Sequence, residues 1–292
     1  MPRKVLMIGG DLRQYYMAKF LCKENFAIYY FGHLLGDMTE KVTHIDTLEK
    51  LEYKLNRETF ESIILPIPLG EHYVKGTNQK LNCEKMVELI KLQKSAIIFG
   101  CGENRYITIL KENGMKYIDL LKDEEVVYSN ARLTAENAVI EAILESDKAV
   151  MNSKSLIIGY GRCGRMLADV LRGLHGEVTV AETMKEKQGL AISFGYKVTR
   201  LTNLSDYDFV FQTAPEAFVI SEKLLFQCLS KERQPMIFNL SSVVESVDEA
   251  FAKKNHIFVK HCPGLPGKYT AKTAGELLGG QIVKKLKSDS VI

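Results

Sequence analysis

Short apolar runs alternate with longer stretches of helical periodicity along the chain, and the same order occurs in both halves. In the first half Val5–Ile8 leads through Gly9-Gly10-Asp11 into a helical stretch. In the second half Leu156–Ile158 leads through another glycine turn into a second helical stretch. Strands that alternate with helices in this way predict parallel sheets. The other predicted strands are Ala27–Phe31, Ser62–Ile67, Ala96–Phe99, Tyr117–Leu120, Val178–Ala181, Phe209–Phe211, Met236–Leu240 and Ile257–Lys260.

Two helical stripes lie outside this alternation. Apolar residues at helical spacing in Thr134–Lys148 predict a connecting helix, with Thr134 as its N-cap and Glu136 in its first turn. Ala274–Leu286 predicts a last helix that returns to the first half, so that two crossovers form a hinge around a cleft. We therefore predict an α/β protein with two doubly wound parallel sheets. The expected parts are a first domain at 1–133, a connecting helix at 134–150, a second domain at 151–268 and a returning helix at 269–292.

The turn after Leu156–Ile158 is the strongest candidate for chemistry. Its glycines have the spacing G-x-G-x-x-G between a strand and a helix, which lets backbone N–H groups approach a pyrophosphate. Glu182 closes the next strand, about 20 residues further on, where a carboxylate accepts from ribose hydroxyls. A tight structural turn is the weaker alternative. The predicted cofactor-binding residues are Gly159, Tyr160, Gly161, Arg162, Cys163, Gly164, Glu182, Thr213 and Pro215.

Composition excludes several classes of function. Hydrophobic residues make up 46% and charged residues 26% of the chain, and the net charge is only +3, with the charges dispersed. This balance argues against binding to nucleic acid or to a membrane surface. The six cysteines form no C-x-x-C pair, which argues against a metal site and a disulfide framework. With no apolar run long enough for a signal peptide or a membrane span, we expect a cytoplasmic protein.

A nicotinamide-dependent oxidation needs groups that anchor the substrate and manage one proton. Arg13, just after the first strand, has the guanidinium geometry that grips a carboxylate, although a surface arginine is an equal alternative. Asn130 and Thr134 are expected at the start of the connecting helix and are candidate substrate ligands. Glu136 is a candidate acid–base group, with helix capping as its alternative.

A second dense segment follows the last strand. Two Pro-Gly turns lead to Lys268, Thr270, Lys272 and Thr273, which are expected to crowd a helix N-terminus, an arrangement that binds anions. Lysine is unfavourable there for the helix dipole, so we favour binding of a substrate carboxylate over simple solvation. Lys272 is also a candidate catalytic residue.

Taken together, the motifs at Ile8–Gln14, Asn130–Glu136, Pro263–Gly267 and Lys272–Gly275 resemble the family of the dipicolinate synthase A subunit from spore-forming bacteria. The resemblance implies NAD(P)-dependent oxidation of a dihydrodipicolinate-level intermediate to dipicolinate during sporulation. It also implies the flavoprotein-like B subunit of dipicolinate synthase as partner. The implied architecture is similar to formate/glycerate dehydrogenases, with a Rossmann dinucleotide domain and a flavodoxin-like substrate domain. A small dicarboxylate substrate then makes Arg13, Lys272 and Thr273 the expected anchors.

The chain departs from this family at two places. The family often has arginine and serine after the second strand of the cofactor domain, which suits NADP, whereas Glu182 here favours NAD. Lys185 and Lys187 follow and favour a phosphate. In the connecting motif, Leu133 and Asn137 replace the family's proline and glycine, so a role for Glu136 carries over only weakly.

Two other functions stay open from the sequence. One is a 2-hydroxyacid or amino-acid dehydrogenase of the same architecture, which the fold alone supports. The other is a non-catalytic, cofactor-sensing protein, which the lack of an identifiable general base supports. We also expect the chain to form a homo-oligomer.

Overall fold

The computed structural model describes residues 2–33, 41–67, 69–77, 79–230 and 234–289. The chain divides into two compact units, the first made of Met1–Val127 with Thr270–Ile292 and the second of Tyr128–Tyr269. In chain order the strands and helices are β1 (Arg3–Ile8), α1 (Leu12–Lys23), β2 (Phe26–Phe31), β3 (Val42–Ile45), α2 (Leu48–Arg57), β4 (Ser62–Ile64), α3 (Cys83–Ile90), β5 (Ile97–Gly100), α4 (Arg105–Glu112), β6 (Lys116–Asp119), α5 (Glu124–Ser146), β7 (Lys154–Ile158), α6 (Arg162–Gly173), β8 (Glu177–Ala181), α7 (Lys185–Ser193), β9 (Lys197–Thr199), β10 (Phe209–Gln212), α8 (Glu222–Phe226), β11 (Met236–Asn239), α9 (Glu249–Lys254), β12 (Val259–His261), α10 (Leu265–Tyr269) and α11 (Ala271–Asp289).

Each unit is built on one parallel six-stranded sheet. The first sheet has the order β3-β2-β1-β4-β5-β6, and the second has the order β9-β8-β7-β10-β11-β12. The second order is that of dinucleotide-binding domains, and the first becomes the flavodoxin order when the short edge strand β3 is left out. The predicted fold class is therefore confirmed. In both sheets the strand order reverses beside the first strand of the unit, and parallel sheets bind ligands at the carboxyl ends of the strands at this point.

Successive side chains of the central strands point to opposite faces of each sheet, and each face is covered by its own helices. In β1, Leu6 packs into a core cluster with α2 and α3, whereas Met7 packs into the opposite cluster with α1 and α11. In β7, Ile157 packs with α5 and α6, whereas Leu156 packs with α8 and α9. Because both faces are covered, the last residues of each strand form an unbroken apolar run, as in buried parallel strands.

The connecting helix differs from the predicted one at its start. It begins at Glu124, beside Asp123, whose carboxylate accepts from the N–H of Glu125 at 3.1 Å. Thr134 is therefore inside α5 and is not its N-cap, and its hydroxyl donates to the carbonyl of Asn130 at 2.8 Å. Two acidic residues in the first turn favour the earlier start because they interact well with the helix dipole. Within the described ranges, no helix is both long and apolar enough to cross a bilayer.

Candidate functional site

A cavity of about 550 Å³ opens at the carboxyl ends of β7 and β10, where the strand order of the second sheet reverses. The glycine turn after β7 forms one wall, and the loop after β10 forms another. Five of the predicted cofactor-binding residues line this cavity, namely Gly159, Gly161, Glu182, Thr213 and Pro215. The structure thus brings together residues that lie far apart in the sequence.

The three glycines of the turn have different roles. Gly159 has a φ of +90°, a conformation that disfavours any residue with a Cβ. A Cβ on Gly164 would lie 2.1 Å from the carbonyl oxygen of Gly159, so this glycine allows α6 to pack tightly on the turn. Gly161, in contrast, has open space where a Cβ would be, and it begins α6 with no side chain that caps the helix. The positive end of α6 therefore opens at the cavity, which fits a pyrophosphate.

Thr213 holds the glycine turn from the neighbouring strand. Its Oγ1 atom lies 2.9 Å from the carbonyl oxygen of Ile158 and 3.1 Å from that of Gly159, and it donates to this pair. A Cβ on Gly159 would approach the same hydroxyl to 2.9 Å. Thr213, directly after β10, thus stabilises the glycine turn. Pro215 lies in the same loop and lines the cavity.

Glu182 is fixed by three backbone N–H groups. Its Oε2 accepts from Tyr160 at 2.8 Å, and its Oε1 accepts from Thr183 at 2.8 Å and from Met184 at 2.9 Å. Burial acts to raise the pKa of this carboxyl, but the three donors outweigh burial and hold the pKa of Glu182 below its ordinary value. The carboxylate is therefore ionised and immobile at the place where a ribose is expected.

The remaining predicted cofactor residues shape the turn. The Tyr160 ring is buried and packs edge-on against Tyr196, with ring centroids 6.0 Å apart. The Arg162 guanidinium lies over the ring of Tyr128 at 5.9 Å, and burial raises the pKa of the Cys163 thiol. The Tyr160 and Cys163 side chains thus pack within the second unit, whereas Arg162 is exposed beside Tyr128.

Basic side chains on the far wall of the cavity include one that the sequence pattern did not reveal. Lys185, Lys187 and Arg200 all line the cavity, together with Gln188, whose amide donates to the backbone carbonyl of Glu182 at 2.6 Å. Arg200 directly follows β9, a three-residue edge strand that was not predicted. The signal for it was the third strand that a dinucleotide-binding half requires after its second helix.

Arg13 lies at the corresponding point of the first unit, where β1 and β4 are neighbours. Its Nε and Nη2 atoms donate to the Asp11 carboxylate at 3.0 and 2.7 Å, and Nη2 also donates to the carbonyl of Ile67. The arginine is nearly buried. The guanidinium edge expected to hold a substrate carboxylate therefore already holds Asp11 and ties the loops after β1 and β4 together.

Lys272 and Thr273 lie in the first turn of α11, as predicted, and both are exposed. A Cβ on Gly275 would lie 2.3 Å from the carbonyl oxygen of Arg13, and one on Gly279 would lie 2.9 Å from the ring of Phe20. Helices α1 and α11 therefore run in the same direction and begin at the same end of the first unit. Two helix N-termini, both favourable for anions, thus lie at the end of the unit that carries Asp11 and Arg13.

Asn130, Thr134 and Glu136 are not part of the cavity around the glycine turn. All three lie along α5, and the Glu136 carboxylate accepts from Nε of Arg132 at 2.9 Å. Glu136 lines a separate surface groove with Asp169 of α6. The expected acid–base role of Glu136 finds no support in this placement, because a carboxylate already paired with arginine faces outward between two helices.

Lys268 is also placed differently from the expectation. It lies in α10 and pairs with Glu141 at 2.6 Å, and Lys260 pairs with the same carboxylate at 2.7 Å. The Glu141 side chain is only 2% exposed, so this ion pair belongs to the packing of α5 against β12 and α10. Lys268 therefore has a structural partner that accounts for its charge.

Comparisons with known proteins agree with this architecture. Residues 4–121 match the family model for the N-terminal domain of the dipicolinate synthase A subunit. The A subunit of dipicolinate synthase from Bacillus subtilis is 25% identical to the chain, and the match covers 97% of the chain and 95% of that protein. The crystal structure of the corresponding A subunit from Bacillus halodurans is similar with a TM-score of 0.83 at 24% identity, covering 97% of each chain. D-lactate dehydrogenase from Escherichia coli shares the fold, with a TM-score of 0.61 at 14% identity over 98% of this chain and 97% of that one.

Proposed function

Because the chain is a relative of the dipicolinate synthase A subunit over nearly its whole length, we propose that it is a nicotinamide-dependent dehydrogenase that forms dipicolinate. The substrate is a dihydrodipicolinate-level intermediate, whose oxidation removes a hydride and a proton and leaves an aromatic pyridine dicarboxylate. The observation that carries the proposal is the open N-terminus of α6 at Gly161, beside a carboxylate held at the ribose position. These two features of the cavity, together with the similarity to the dipicolinate synthase A subunit, favour binding of a dinucleotide.

In this proposal the second unit holds the cofactor through backbone groups and one carboxylate. The first turn of α6, from Gly161 to Gly164, receives the pyrophosphate, and Glu182 accepts from the ribose hydroxyls. The carboxylate has lone pairs beyond the three that the backbone uses, so it can accept further hydrogen bonds. A bound nicotinamide would supply the hydride acceptor. The protein orients the ring and excludes other acceptors.

The first unit supplies the groups for a dicarboxylate. Lys272 and Thr273, at the exposed N-terminus of α11, are the proposed anchors for one carboxylate, since their charge and hydroxyl are accessible. Arg13 acts with Asp11 as a fixed ion pair that holds the loops after β1 and β4. In α5, Asn130 is exposed and Thr134 is half-exposed, and we propose them as secondary substrate contacts.

We propose NAD as the preferred cofactor. A 2′-phosphate at the ribose position would meet the Glu182 carboxylate, whose three N–H donors keep it from turning away. Lys185, Lys187 and Arg200 act in the opposite direction, but exposed ion pairs contribute only about 0–1 kcal/mol each. The fixed carboxylate therefore decides the preference.

The direct test uses the purified chain, a flavoprotein-like B subunit, and both together, each supplied with the lysine-pathway intermediate and either NAD⁺ or NADP⁺. We expect formation of the ultraviolet chromophore of a pyridine dicarboxylate together with reduced nicotinamide. No product with either cofactor in the presence of both proteins would contradict the proposal. Faster turnover of 2-hydroxy acids would replace it by the 2-hydroxyacid dehydrogenase alternative.

A matched pair of glycine variants tests whether this cavity holds the cofactor. A Cβ at Gly161 meets no protein atom within 4 Å, so Gly161→Ala leaves the fold intact but occupies the space through which a pyrophosphate approaches. We expect binding of the reduced cofactor to weaken about 10-fold or more, as loss of one or two hydrogen bonds to an anion would cause. Gly189→Ala is the control, because its Cβ is equally free and the residue does not line the cavity. Unchanged cofactor binding in Gly161→Ala would place the cofactor elsewhere.

A further inference from the structure

Two amide side chains are buried next to each other at the carboxyl ends of β10 and β11. Gln212 and Asn239 are the last residues of these strands and are register partners in the second sheet. Both residues are completely buried, although all other residues of the two strands are apolar. A buried carboxamide destabilises a fold unless hydrogen bonds satisfy it, so the partners of these two side chains reveal why they are there.

Gln212 binds both backbone groups of Ala214. Its Nε2 atom donates to the Ala214 carbonyl at 2.9 Å, and its Oε1 atom accepts from the Ala214 N–H at 3.3 Å. One side chain must therefore offer a donor and an acceptor at the same time. Ala214 lines the cavity, and a Cβ on Gly159 would lie 3.1 Å from its backbone nitrogen. Gln212 thus holds the loop after β10 against the first glycine of the glycine turn.

Asn239 fixes the loop after β11 in a similar way. Its Oδ1 atom accepts from the N–H of Ser241 at 3.1 Å and from the hydroxyl of Ser246 at 3.0 Å. The two loops also support each other, because the N–H of Ile220, at the end of the loop after β10, donates to the carbonyl of Ser246 at 3.0 Å. The backbone on this side of the cavity is therefore held by two buried amides.

We propose that Gln212 is a positioning residue for the cofactor: it fixes the loop after β10 and, through Ala214, the glycine turn that receives the pyrophosphate. This inference rests on the proposed function, since it adds a residue to the same cavity. Gln212 acts through Ala214 and not by direct contact, because it is fully buried and does not line the cavity. A loop that is already in place binds a ligand without first losing conformational freedom, so the contribution of Gln212 is to affinity.

Gln212→Glu makes this contribution depend on protonation. A neutral carboxyl has one O–H donor and one acceptor, as the amide does, whereas a carboxylate has acceptors only and would face the Ala214 carbonyl. Burial raises the pKa of such a carboxyl. We therefore expect the variant to bind NAD⁺ almost as tightly as the unmodified chain at about pH 5 and about 10-fold more weakly at about pH 8. Calorimetric titrations of both proteins at each pH, well below their melting temperatures, measure this difference.

Gln93→Glu is the matched control. Gln93 is also buried, and its amide donates to the carbonyls of Leu55 and Glu58 at 2.7 and 2.8 Å, but it belongs to the first unit and does not line the cavity. In both glutamate variants the folded pKa of the new carboxyl lies above its unfolded value, so stability falls as the pH rises through this range. Only Gln212→Glu should also lose affinity for NAD⁺. Gln212→Leu, which cannot hydrogen-bond at any pH, should bind NAD⁺ about 10-fold more weakly throughout.

Amide hydrogen exchange gives a second readout that needs no cofactor. Exchange in residues 213–219 should be about 10-fold faster in Gln212→Leu and unchanged in Gln93→Glu, because only the first variant releases the loop. If Gln212→Leu does not fold, the comparison of Gln212→Glu at the two pH values still decides. Unchanged NAD⁺ affinity of Gln212→Glu at about pH 8, in a chain whose unmodified form binds NAD⁺, would overturn the positioning role alone. No binding of NAD⁺ or NADP⁺ by the unmodified chain would overturn the proposed function as well.

Discussion

The Glu182 carboxylate accepts a hydrogen bond from the backbone N–H of Tyr160 at 2.8 Å, and this contact joins the loop after β8 to the glycine turn after β7. The sequence pattern assigns Glu182 to a ribose, but the geometry gives it a second task. It satisfies a backbone donor of the turn and the two donors that precede α7. A substitution at Glu182 therefore changes the shape of the cofactor cavity as well as its charge.

Glu182→Gln tests the roles of Glu182 in cavity shape and in cavity charge without shortening the side chain. The amide keeps the size of the side chain but offers an N–H where the backbone needs an acceptor, so we expect a loss of about 1–3 kcal/mol in the free energy of unfolding. Removing the negative charge should also shift the preference toward NADP(H), and Glu182→Ser should shift it further. Denaturant unfolding and cofactor titrations by fluorescence measure the two effects.

Glu216→Gln is the control for the cofactor preference, because this carboxylate also lines the cavity and is exposed. It should change neither stability nor the ratio of NADP(H) to NAD(H) affinities. Equal or tighter binding of NADP(H) by the unmodified chain would show that Lys185, Lys187 and Arg200 decide the preference.

Glu58 predicts a pH dependence of stability in the first unit. Partial burial raises its pKa, but hydrogen bonds from Lys4, Lys54 and Tyr29 lower the pKa of Glu58 to about 2, against an ordinary value of 4.5. A carboxyl whose folded pKa is depressed stabilises the fold above the unfolded pKa, and this contribution is lost as the pH falls through the folded pKa. Glu58→Gln should therefore cost about 1 kcal/mol at neutral pH. The difference should shrink from pH 4.5 downward and vanish only below pH 2.

Denaturant unfolding of both proteins across this pH range checks the expectation. Glu88→Gln serves for comparison, since Glu88 is 71% exposed in its pair with Lys85 and should have almost no effect. A constant difference between Glu58→Gln and the unmodified chain down to the lowest pH would show that the ion pairs around Glu58 do not stabilise the fold.

The strands with a buried apolar run could be predicted from the sequence, whereas two of the four edge strands of the described sheets could not. Each predicted strand with a buried apolar run is present in the structure. The missed strands, β3 and β9, are short, lie at sheet edges and carry exposed polar residues such as Thr43 and Lys197. Edge strands need only one neighbour and can present side chains to solvent, so the hydrophobic pattern that marks a central strand is weak in them.

The candidate site divides in a similar way. The glycine turn and Glu182 follow from local spacing, which sequence shows directly. The long-range partners of Arg13 and Lys268 do not, because Ile67 and Glu141 are far from them along the chain. The prediction for Glu136 differs from the structure because the helix begins earlier than expected. The ten residues from Glu124 to Leu133 are also helical, so Glu136 lies in the middle of α5 and not in its first turn.

Glu141 predicts a structural role for the ion pairs between α5, β12 and α10. Burial raises the pKa of its carboxyl, but hydrogen bonds from Lys260, Lys268 and Tyr269 outweigh burial, so the pKa lies below its ordinary value. Glu141→Ala should lower the free energy of unfolding by about 2 kcal/mol, less than for a fully buried pair because both lysines reach solvent. Glu145→Ala, which removes only the more exposed contact of Lys260, should cost less than half as much. Equal losses in the two variants would contradict a special role for Glu141.

Lys272 and Lys268 separate substrate binding from packing. Lys272 is exposed in the first turn of α11, whereas Lys268 pairs with Glu141. Lys272→Met should raise the KM for the dicarboxylate about 10-fold, as expected for the loss of one charge-assisted hydrogen bond, and leave the melting temperature unchanged. Lys268→Met should leave the KM unchanged and lower the melting temperature, because it removes the ion pair with Glu141. If kcat also falls in Lys272→Met and Lys272→Arg restores KM but not kcat, the amine takes part in the proton transfer as well as in binding. Unchanged KM and kcat in Lys272→Met would remove this residue from the site and leave the N-terminus of α11 without a function in catalysis.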